Sequence, residues 1–237
     1  MRFPRFLRRI WRREPDARDP ALLDSMRHDW DQRAKDNARH YVATLQSDWT
    51  DEEFFKSGAI WVQYHIESSL AEICNGRAAS SMHILEIGCG AGRMTYTLSK
   101  MFGEVDAVDI SPEMIARARE ALRECRNVNL HVNNGLDLSM FPDQHFDFAF
   151  SAIVFQHIPS RAVIENYIKE TWRVLRPGSL FRFQVQGCDI HENALNTWLG
   201  VGFSPREMRQ IARRSGFDVK GMRGEGTQEF WLTFLKP

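Results

Sequence analysis

Hydrophobic and polar positions along the chain follow two different patterns. Between residues 21 and 77, apolar side chains recur at helical spacing, as Leu22, Met26 and Trp30 do in the first segment. Further along, short apolar runs alternate with helix-like stretches, which is typical of a parallel sheet covered on both faces. The pattern therefore predicts a helical N-terminal cap at 21–77, followed by an α/β domain at 78–237.

The α/β domain is predicted to contain seven strands and four helices. The strands are expected at about 83–87, 104–108, 128–132, 146–151, 179–186, 217–224 and 228–235. The helices are expected at about 92–101, 112–124, 161–175 and 204–215. In the cap, one helix is expected to follow the acidic stretch 48–53, and a separate one to run from Ile60 to Ile73.

The first fourteen residues form a segment with its own pattern. Six arginines fill one side of the predicted helix, and its other side is apolar: Phe3, Phe6, Leu7, Ile10 and Trp11. A basic amphipathic helix of this kind is suited to an anionic membrane surface, which predicts a peripheral membrane contact through residues 2–13. The alternative is a solvated tail, or a helix packed on the body of the protein. A linker with two prolines completes the segment 1–20.

Composition narrows the possible functions. Of the 237 residues, 31 are basic and 31 acidic, so the net charge favours no nucleic-acid partner. The four cysteines are scattered without a CxxC pair, which argues against a disulfide framework and against structural zinc. No apolar run approaches the ~20 residues that cross a bilayer and no secretory signal is visible, so a cytoplasmic protein is expected. Only 6 of the 31 basic residues are lysines, which is compatible with a bacterial source of high genomic GC content. The sequence carries no signal for an oligomeric state.

A glycine-rich loop follows the first predicted strand, in the stretch HILEIGCGAGRM. Because the loop opens a helix, its backbone amides and the positive helix end face a ligand at the carboxyl edge of the sheet. A dinucleotide fingerprint requires glycine at the position of Arg93, and a phosphate-binding P-loop requires a Gly-Lys-Ser/Thr ending that is absent. Glu86, directly before the loop, is a poor neighbour for a pyrophosphate. It can accept hydrogen bonds from an ammonium-bearing ligand or from the amides of the loop.

The second predicted strand ends in an acid. Asp109 lies 19 residues after Gly90, at the tip of this strand. A carboxylate at that position can accept two hydrogen bonds from the diol of a ribose. Together, the loop and the acid indicate an adenosine ligand without a pyrophosphate.

Four motifs, in this order, resemble those of the class I S-adenosylmethionine-dependent methyltransferases, and the resemblance covers about residues 60–237. The motifs are LEIGCGAGRMT for the cofactor loop, VDAVDISPEMIARAR for the ribose strand and helix, FDFAFSAIVFQHIP for the fourth strand and VLRPGSLFRFQV for the fifth. The resemblance implies a three-layer α/β/α Rossmann-like sheet of seven strands, whose last hairpin carries the one antiparallel strand. It also implies S-adenosylmethionine as the cofactor and S-adenosylhomocysteine as the product.

The resemblance assigns roles to individual residues. It implies that the cofactor is bound by Glu86, Gly88, Cys89, Gly90, Gly92, Asp109, Ile110, Asn134, Gly135, Leu136 and Ser151. The glycine loop would hold the methionine part, Asp109 the ribose and Ile110 the adenine ring. Many relatives have a Gly-Asp pair after the third strand that reaches the adenine amino group. This chain departs from that pattern, because Asp137 stands two positions after Gly135, and Asn134 or nearby backbone groups are expected to take the role.

Candidate residues for catalysis follow the fourth strand. His157 is expected near the transferred methyl group, where it would act as general base if the acceptor is a hydroxyl. The alternative is that it only shapes the pocket wall or bonds to the backbone. Acceptor contacts are assigned to Gln156, His191, Trp198 and Tyr64. No His/acid cluster has the sequence spacing of metal ligands, so no metal cofactor is expected.

The sequence thus predicts an enzyme that methylates a small molecule. The interpretation favours O-methylation of a sugar, a glycolipid or a secondary metabolite. The alternatives are N- or C-methylation of another small molecule or quinone-like lipid, and a homologue that binds the cofactor without catalysis. A nicotinamide-dependent reductase is disfavoured by Arg93 and by the absence of a Tyr-x-x-x-Lys pair.

Overall fold

The computed structural model describes residues 18–188 and 197–237. The predicted membrane-contacting helix at 2–13 and the candidate His191 lie outside those residues. In the part that is described, no helix combines the length and the apolar character needed to cross a membrane.

From residue 18 onward, three α-helices precede the sheet. Helix α1 spans Pro20–Val42, α2 spans Asp51–His65 and α3 spans Leu70–Cys74. The acidic stretch starts α2 as predicted, since Thr50 and Glu53 form a capping box that satisfies the first amides of the helix.

The prediction of a separate helix from Ile60 to Ile73 is wrong. Helix α2 continues without interruption to His65, and a 3₁₀ turn at Glu67–Ser69 leads into α3. The apolar residue Ile60, taken as the start of a new helix, is 58% exposed on the outer side of α2. No residue between 53 and 65 ends the helix. Gly58 lets α2 approach the carbonyl oxygen of Arg93 closely.

The sheet has seven strands, and the fold-class prediction is confirmed. The strands are β1 His83–Ile87, β2 Glu104–Asp109, β3 Val128–Val132, β4 Phe146–Ser151, β5 Leu175–Val185, β6 Asp218–Arg223 and β7 Phe230–Leu235. Their order is β3-β2-β1-β4-β5-β7-β6. Strand β7 runs antiparallel to both β5 and β6, and the other neighbours are parallel.

Helices cover both faces of this sheet. They are α4 Thr95–Met101, α5 Pro112–Ala121, α6 Arg161–Val174 and α7 Pro205–Ser215. One face packs against α1, α6 and α7, through residues such as Leu22, Ile164 and Met208. The other packs against the remaining helices, through residues such as Val62 and Leu98. Each such fully buried side chain contributes about 1.5–3 kcal/mol through the removal of apolar surface from water.

Strand β5 begins four residues earlier than predicted. The helix predicted at about 161–175 ends at Val174, and the chain enters the sheet directly at Leu175. The register with β4 shifts between Phe146 and Phe148, where a bulge accommodates the extra residues of β5. Gly178 lies in this bulge with φ +78°.

The strand order reverses at β1, which lies between β2 and β4. In an open α/β sheet, such a reversal leaves a crevice at the carboxyl ends of the strands, because the connecting helices leave to opposite sides. The glycine loop after β1, Asp109 at the end of β2 and Ser151 at the end of β4 all lie at this edge.

Candidate active site

A cavity of about 800 Å³, counting its open mouth, lies at this carboxyl edge. Helix α1 forms one wall with Met26, Trp30, Tyr41 and Val42. The opposite wall consists of the glycine loop, the ends of β2 and β3, and the segment after β4. The predicted helical cap therefore contributes directly to the site.

The glycine loop approaches its neighbours too closely to carry side chains. Gly88 has φ +79°, and a Cβ atom there would lie 2.2 Å from Cγ2 of Val154. Gly90 has φ +53°, and its Cβ would lie 2.7 Å from Cγ2 of Val42. The amides of Gly88 and Cys89 both donate to the carbonyl of Val108, which fixes the loop against β2. The loop therefore presents its backbone to the cavity.

Asp109 lines the cavity and fastens the loop. Its carboxylate accepts hydrogen bonds from the amides of Gly90 and Ser111, both at 2.9 Å. Burial raises the pKa of Asp109 to about 6. A carboxylate offers about four lone-pair positions, so these two bonds leave acceptor capacity for a ligand hydroxyl.

Glu86 and Arg93 are buried together under the loop. The Oε2 atom of Glu86 accepts a hydrogen bond of 2.6 Å from the hydroxyl of Thr95. Oε1 of Glu86 and Nε of Arg93 have no hydrogen-bond partner among the described residues. Burial raises the pKa of Glu86 to about 7 and lowers that of Arg93 to about 10. Arg93 lines the cavity, whereas Glu86 is not among the lining residues.

In the segment after β3, which is predicted to contact the adenine, the asparagine that lines the cavity is not the one expected. Ile110 and Gly135 line the cavity, but Asn134 is exposed and bonds to the amides of Leu136 and Asp137 in a turn. Its neighbour Asn133 is buried and faces the cavity instead. The sequence motif could not separate two adjacent asparagines, because which of them points inward depends on the turn.

Asn133 is held by a residue that the sequence did not single out. Its amide nitrogen donates a hydrogen bond of 2.7 Å to the hydroxyl of Tyr167 on α6, and its oxygen accepts from the amide of Gly135 at 3.2 Å. Tyr167 also lines the cavity. In the sequence, the position of Tyr167 on the inner face of an amphipathic helix indicated only a residue of the hydrophobic core.

Both ring nitrogens of His157 are engaged. Nδ1 lies 2.7 Å from the carbonyl oxygen of Trp198, and Nε2 lies 3.0 Å from Nε2 of Gln156. This network assigns the proton to Nδ1, which donates to the carbonyl, while Nε2 accepts from the Gln156 amide. The oxygen of Gln156 in turn accepts from Gln184. Burial lowers the pKa of His157 to about 4, so the ring is neutral at pH 7.

Three aromatic rings and a guanidinium form a connected group next to His157, and two of the rings, Trp30 and Tyr41, also line the cavity. We call this group the aromatic rim: Trp30, Arg33, Tyr41 and Trp198. The Arg33 guanidinium lies 4.7 Å from the Trp30 ring centroid and 5.4 Å from that of Trp198. Its Nη2 also donates to the hydroxyl of Thr197 at 2.9 Å, which joins α1 to the segment 197–200.

Of the remaining candidate site residues, Cys89 lines the cavity, Ser151 is buried in the sheet and Tyr64 is exposed. Cys89 lines the cavity, and burial raises the pKa of its thiol well above the ordinary value. Ser151 is buried and donates to the carbonyl of Ile87 at 3.0 Å, which ties β4 to β1. Tyr64 is 63% exposed and packs near Arg223, so it is not part of the cavity wall. The roles proposed for these residues stay predictions.

Comparison with known proteins identifies the domain. A family model described as a methyltransferase domain matches residues 84–178. The chain is 35% identical over 98 residues to a 2-methyl-6-phytyl-1,4-hydroquinone methyltransferase of Synechocystis sp., covering 41% of this chain and 30% of that protein. It is also 31% identical over 109 residues to malonyl-[acyl-carrier protein] O-methyltransferase 1 of Ilyobacter polytropus. That match covers 45% of this chain and 40% of that protein. These matches span less than half the length of either relative.

Solved structures share the architecture. The geranyl diphosphate C-methyltransferase of Streptomyces coelicolor A3(2) superposes with a TM-score of 0.65 at 12% identity, over 94% of this chain and all of that one. The seven-stranded sheet and the loop after β1 thus have the architecture of the Rossmann-like methyltransferase fold. Residues 84–178 match the methyltransferase family model, and the predicted resemblance to the class I S-adenosylmethionine-dependent methyltransferases is confirmed.

Glu86 should make the stability of the ligand-free protein depend on pH. Its pKa rises from 4.5 in the unfolded chain to about 7 in the folded protein, so folding favours the protonated acid. The favourable contribution is complete below about pH 4.5 and is lost as the pH rises through 7. We expect Glu86→Gln to match the wild type near pH 4.5 and to be more stable by about 3 kcal/mol at pH 8.

Urea unfolding of both proteins at several pH values measures this difference. The difference is the useful quantity, because the buried residues His65 and His157 have lowered pKa values and titrate in the opposite sense. Glu120→Gln, at an exposed position on α5, serves as the control. A constant difference from pH 4.5 to 8 would show that Glu86 is ionised throughout.

Proposed function

We propose that this protein transfers a methyl group from S-adenosylmethionine to the hydroxyl group of a small aromatic acceptor, such as a hydroquinone. The observation that carries the proposal is the aromatic rim, of which Trp30 and Tyr41 line a cavity with a largely apolar α1 wall. Apolar walls with a few placed polar groups favour a flat apolar ring over a heavily hydroxylated sugar, whose hydroxyl groups each require a partner. The sugar and glycolipid acceptors expected from the sequence therefore rank second.

The described residues fit the cofactor. Gly88 and Gly90 leave their backbone open to the cavity, Asp109 retains acceptor capacity, and Ile110 offers an apolar face. The unpartnered Oε1 of Glu86 and Nε of Arg93 are buried polar atoms next to the loop, a feature common at ligand sites. We assign the ribose to Asp109, the adenine to Ile110 with Asn133, and the methionine part to the loop with Arg93.

When bound, the cofactor supplies a sulfonium methyl group, whose C–S bond breaks as the bond to the acceptor oxygen forms. The protein's part is to hold the acceptor in line and to exclude water, which is worth up to about 7–11 kcal/mol in the best cases. The ionisable side chains that line the cavity within the described residues are Tyr41, Cys89, Arg93, Asp109 and Tyr167. With His157 engaged on both nitrogens, the acceptor proton is released to solvent in this proposal.

The relatives are compatible with this acceptor without deciding it. One is named for a phytylated hydroquinone, the other for a malonyl group on a carrier protein, so acceptor classes differ among similar domains. A quinone-like acceptor with an isoprenoid chain would be reached at a membrane surface. The predicted contact through residues 2–13 would bring the enzyme there.

Loss of Asp109 should weaken cofactor binding. Asp109→Ala removes the acceptor for ribose hydroxyls, and hydrogen bonds to a charged group contribute about 1.5–3 kcal/mol. We expect the dissociation constant of S-adenosylmethionine, measured by isothermal titration calorimetry, to rise about 10–100-fold. S-adenosylhomocysteine should follow the same trend. Asp218→Ala, exposed on β6, should leave both unchanged.

The same titration with NADH tests the class of ligand. We expect no heat of binding from NADH with either protein. Binding of NADH alone, or an Asp109→Ala variant with wild-type affinity for S-adenosylmethionine, would contradict the assignment of the site.

Substitution of Trp30 tests the class of acceptor. Trp30→Ala removes a ring of the aromatic rim, so KM for a soluble hydroquinone should rise about 10-fold, while S-adenosylmethionine affinity stays within about 2-fold. Trp30→Phe keeps a ring and should retain most of the affinity. Steady-state kinetics with hydroquinones and with glycosides compare the two classes. Turnover of glycosides alone would reject the aromatic acceptor.

His157 is expected to position the wall and not to move a proton. In His157→Asn, loss of the bond to Trp198 should raise KM, lower kcat less than about 10-fold and leave the pH profile of kcat between 6 and 9 unchanged in shape. The reason is that a group with a pKa of about 4 does not titrate in this range. His28→Asn, at an exposed position of α1, is the control. A general base would instead lose at least about 100-fold in kcat, together with an ionisation in the profile.

A further inference from the structure

A cluster of histidines and one acid lies at the amino edge of the sheet, opposite the cavity. His83 begins β1, Asp106 lies within β2, and His145 directly precedes β4. These three strands are neighbours in the sheet. Since β1 has five residues, the cluster is a strand's length, about 15 Å, from the glycine loop. It is therefore separate from the active site.

The three side chains converge on one point. One ligand atom from each of His83, Asp106 and His145 lies within 4.8 Å of the others. Nε2 of His83 lies 2.5 Å from Oδ2 of Asp106, and the rings of His83 and His145 have centroids 4.7 Å apart. Asp106 is 5% exposed, so its carboxylate is surrounded by imidazoles and protein instead of bulk water.

His145 supplies an imidazole with its lone pair available. Within the described residues, its ring makes contacts with the rings of His83 and Phe146, and no hydrogen bond is formed by its nitrogens. A ring nitrogen of His145 is thus available to a metal ion beside the buried carboxylate of Asp106.

Further polar groups orient the ligand atoms. Nε2 of His131 lies 2.5 Å from Oδ1, the other carboxylate oxygen of Asp106. Oε2 of Glu104 lies 3.9 Å from Nδ1 of His83, and Oε1 of Glu104 accepts a hydrogen bond of 2.9 Å from Asn129. Metal-binding histidines and carboxylates are typically held by such outer partners, which fix the tautomer and the ring orientation.

We propose that His83, Asp106 and His145 bind a divalent transition metal ion, with Zn²⁺ the best match, and that the ion joins β1, β2 and the start of β4. Two imidazoles and a carboxylate suit Zn²⁺ at bond lengths of about 2.0–2.2 Å, with water as the fourth ligand. The ion stabilises the fold and takes no part in methyl transfer, so the proposal does not depend on the function proposed above.

Zinc binding to the full-length, tag-free protein tests the proposal. After treatment with EDTA, titration with ZnSO₄ should show one site of micromolar or tighter affinity. At zinc concentrations about 100 times the dissociation constant, the melting temperature should rise by about 5–10 °C. Co²⁺ in place of Zn²⁺ should give the visible absorption of a nitrogen- and oxygen-bound ion, without the thiolate bands that cysteine ligands produce.

Variants identify the ligands. His145→Gln removes one ligand at a half-buried position and should weaken zinc binding by at least about 100-fold, with S-adenosylmethionine affinity unchanged. Glu104→Gln removes an outer partner and should weaken it by about 10–100-fold. The matched control, His28→Gln, removes an exposed histidine of α1 and should bind zinc as the wild type does.

Three results would overturn the proposal. They are zinc affinity weaker than millimolar in the wild type, unchanged affinity in His145→Gln, and a Co²⁺ spectrum with thiolate bands. Asp106→Asn is the less useful variant, because the loss of a carboxylate bonded by two histidines can unfold the protein by itself.

Discussion

The close fit of the glycine loop between three other elements is the constraint on which the site depends. A Cβ atom on Gly58 of α2 would lie 2.1 Å from the carbonyl oxygen of Arg93, just past the loop. A Cβ atom on Gly88 would lie 2.2 Å from Val154 after β4, and one on Gly90 would lie 2.7 Å from Val42 at the end of α1. No side chain fits in these three gaps, so the loop backbone is fixed from several sides. The helical cap and the segment after β4 therefore both contact the loop directly, and a change in either of them reaches the cavity.

Burial also determines which charges the site carries. The pKa of Glu86 is raised to about 7 and that of Asp109 to about 6, while His157 stays neutral with a pKa of about 4. A cationic ligand stabilises ionised acids, so binding of a sulfonium favours the charged forms of Glu86 and Asp109 and is linked to proton release. This preference disappears for a neutral ligand. The electrostatics of the site thus agree with the chemistry assigned to it, independently of the loop geometry.

Sequence patterns predicted the sheet well because each strand is a short apolar run bounded by turns. They failed where tertiary contacts decide the outcome. The exposed Ile60 was taken for a helix start, and the bulge that lengthens β5 depends on its pairing with β4. At the site, the loop glycines and Asp109 were visible as a motif, but the inward position of Asn133 and the engagement of His157 by Trp198 required the folded chain.

The histidine cluster at the amino edge of the sheet could not be predicted from the sequence either. His83, Asp106 and His145 are 23 and 39 residues apart along the chain, so no ligand spacing exists in the sequence. Parallel strands place residues from distant segments side by side, and here the order β2-β1-β4 brings all three together. The carboxyl edge of a sheet of this type is used for ligands, because the crevice forms there. At the amino edge, the carboxylate of Asp106 bonds to His83 of β1 and His131 of β3, so these polar side chains join neighbouring strands, and the proposed ion would extend this link to His145 before β4.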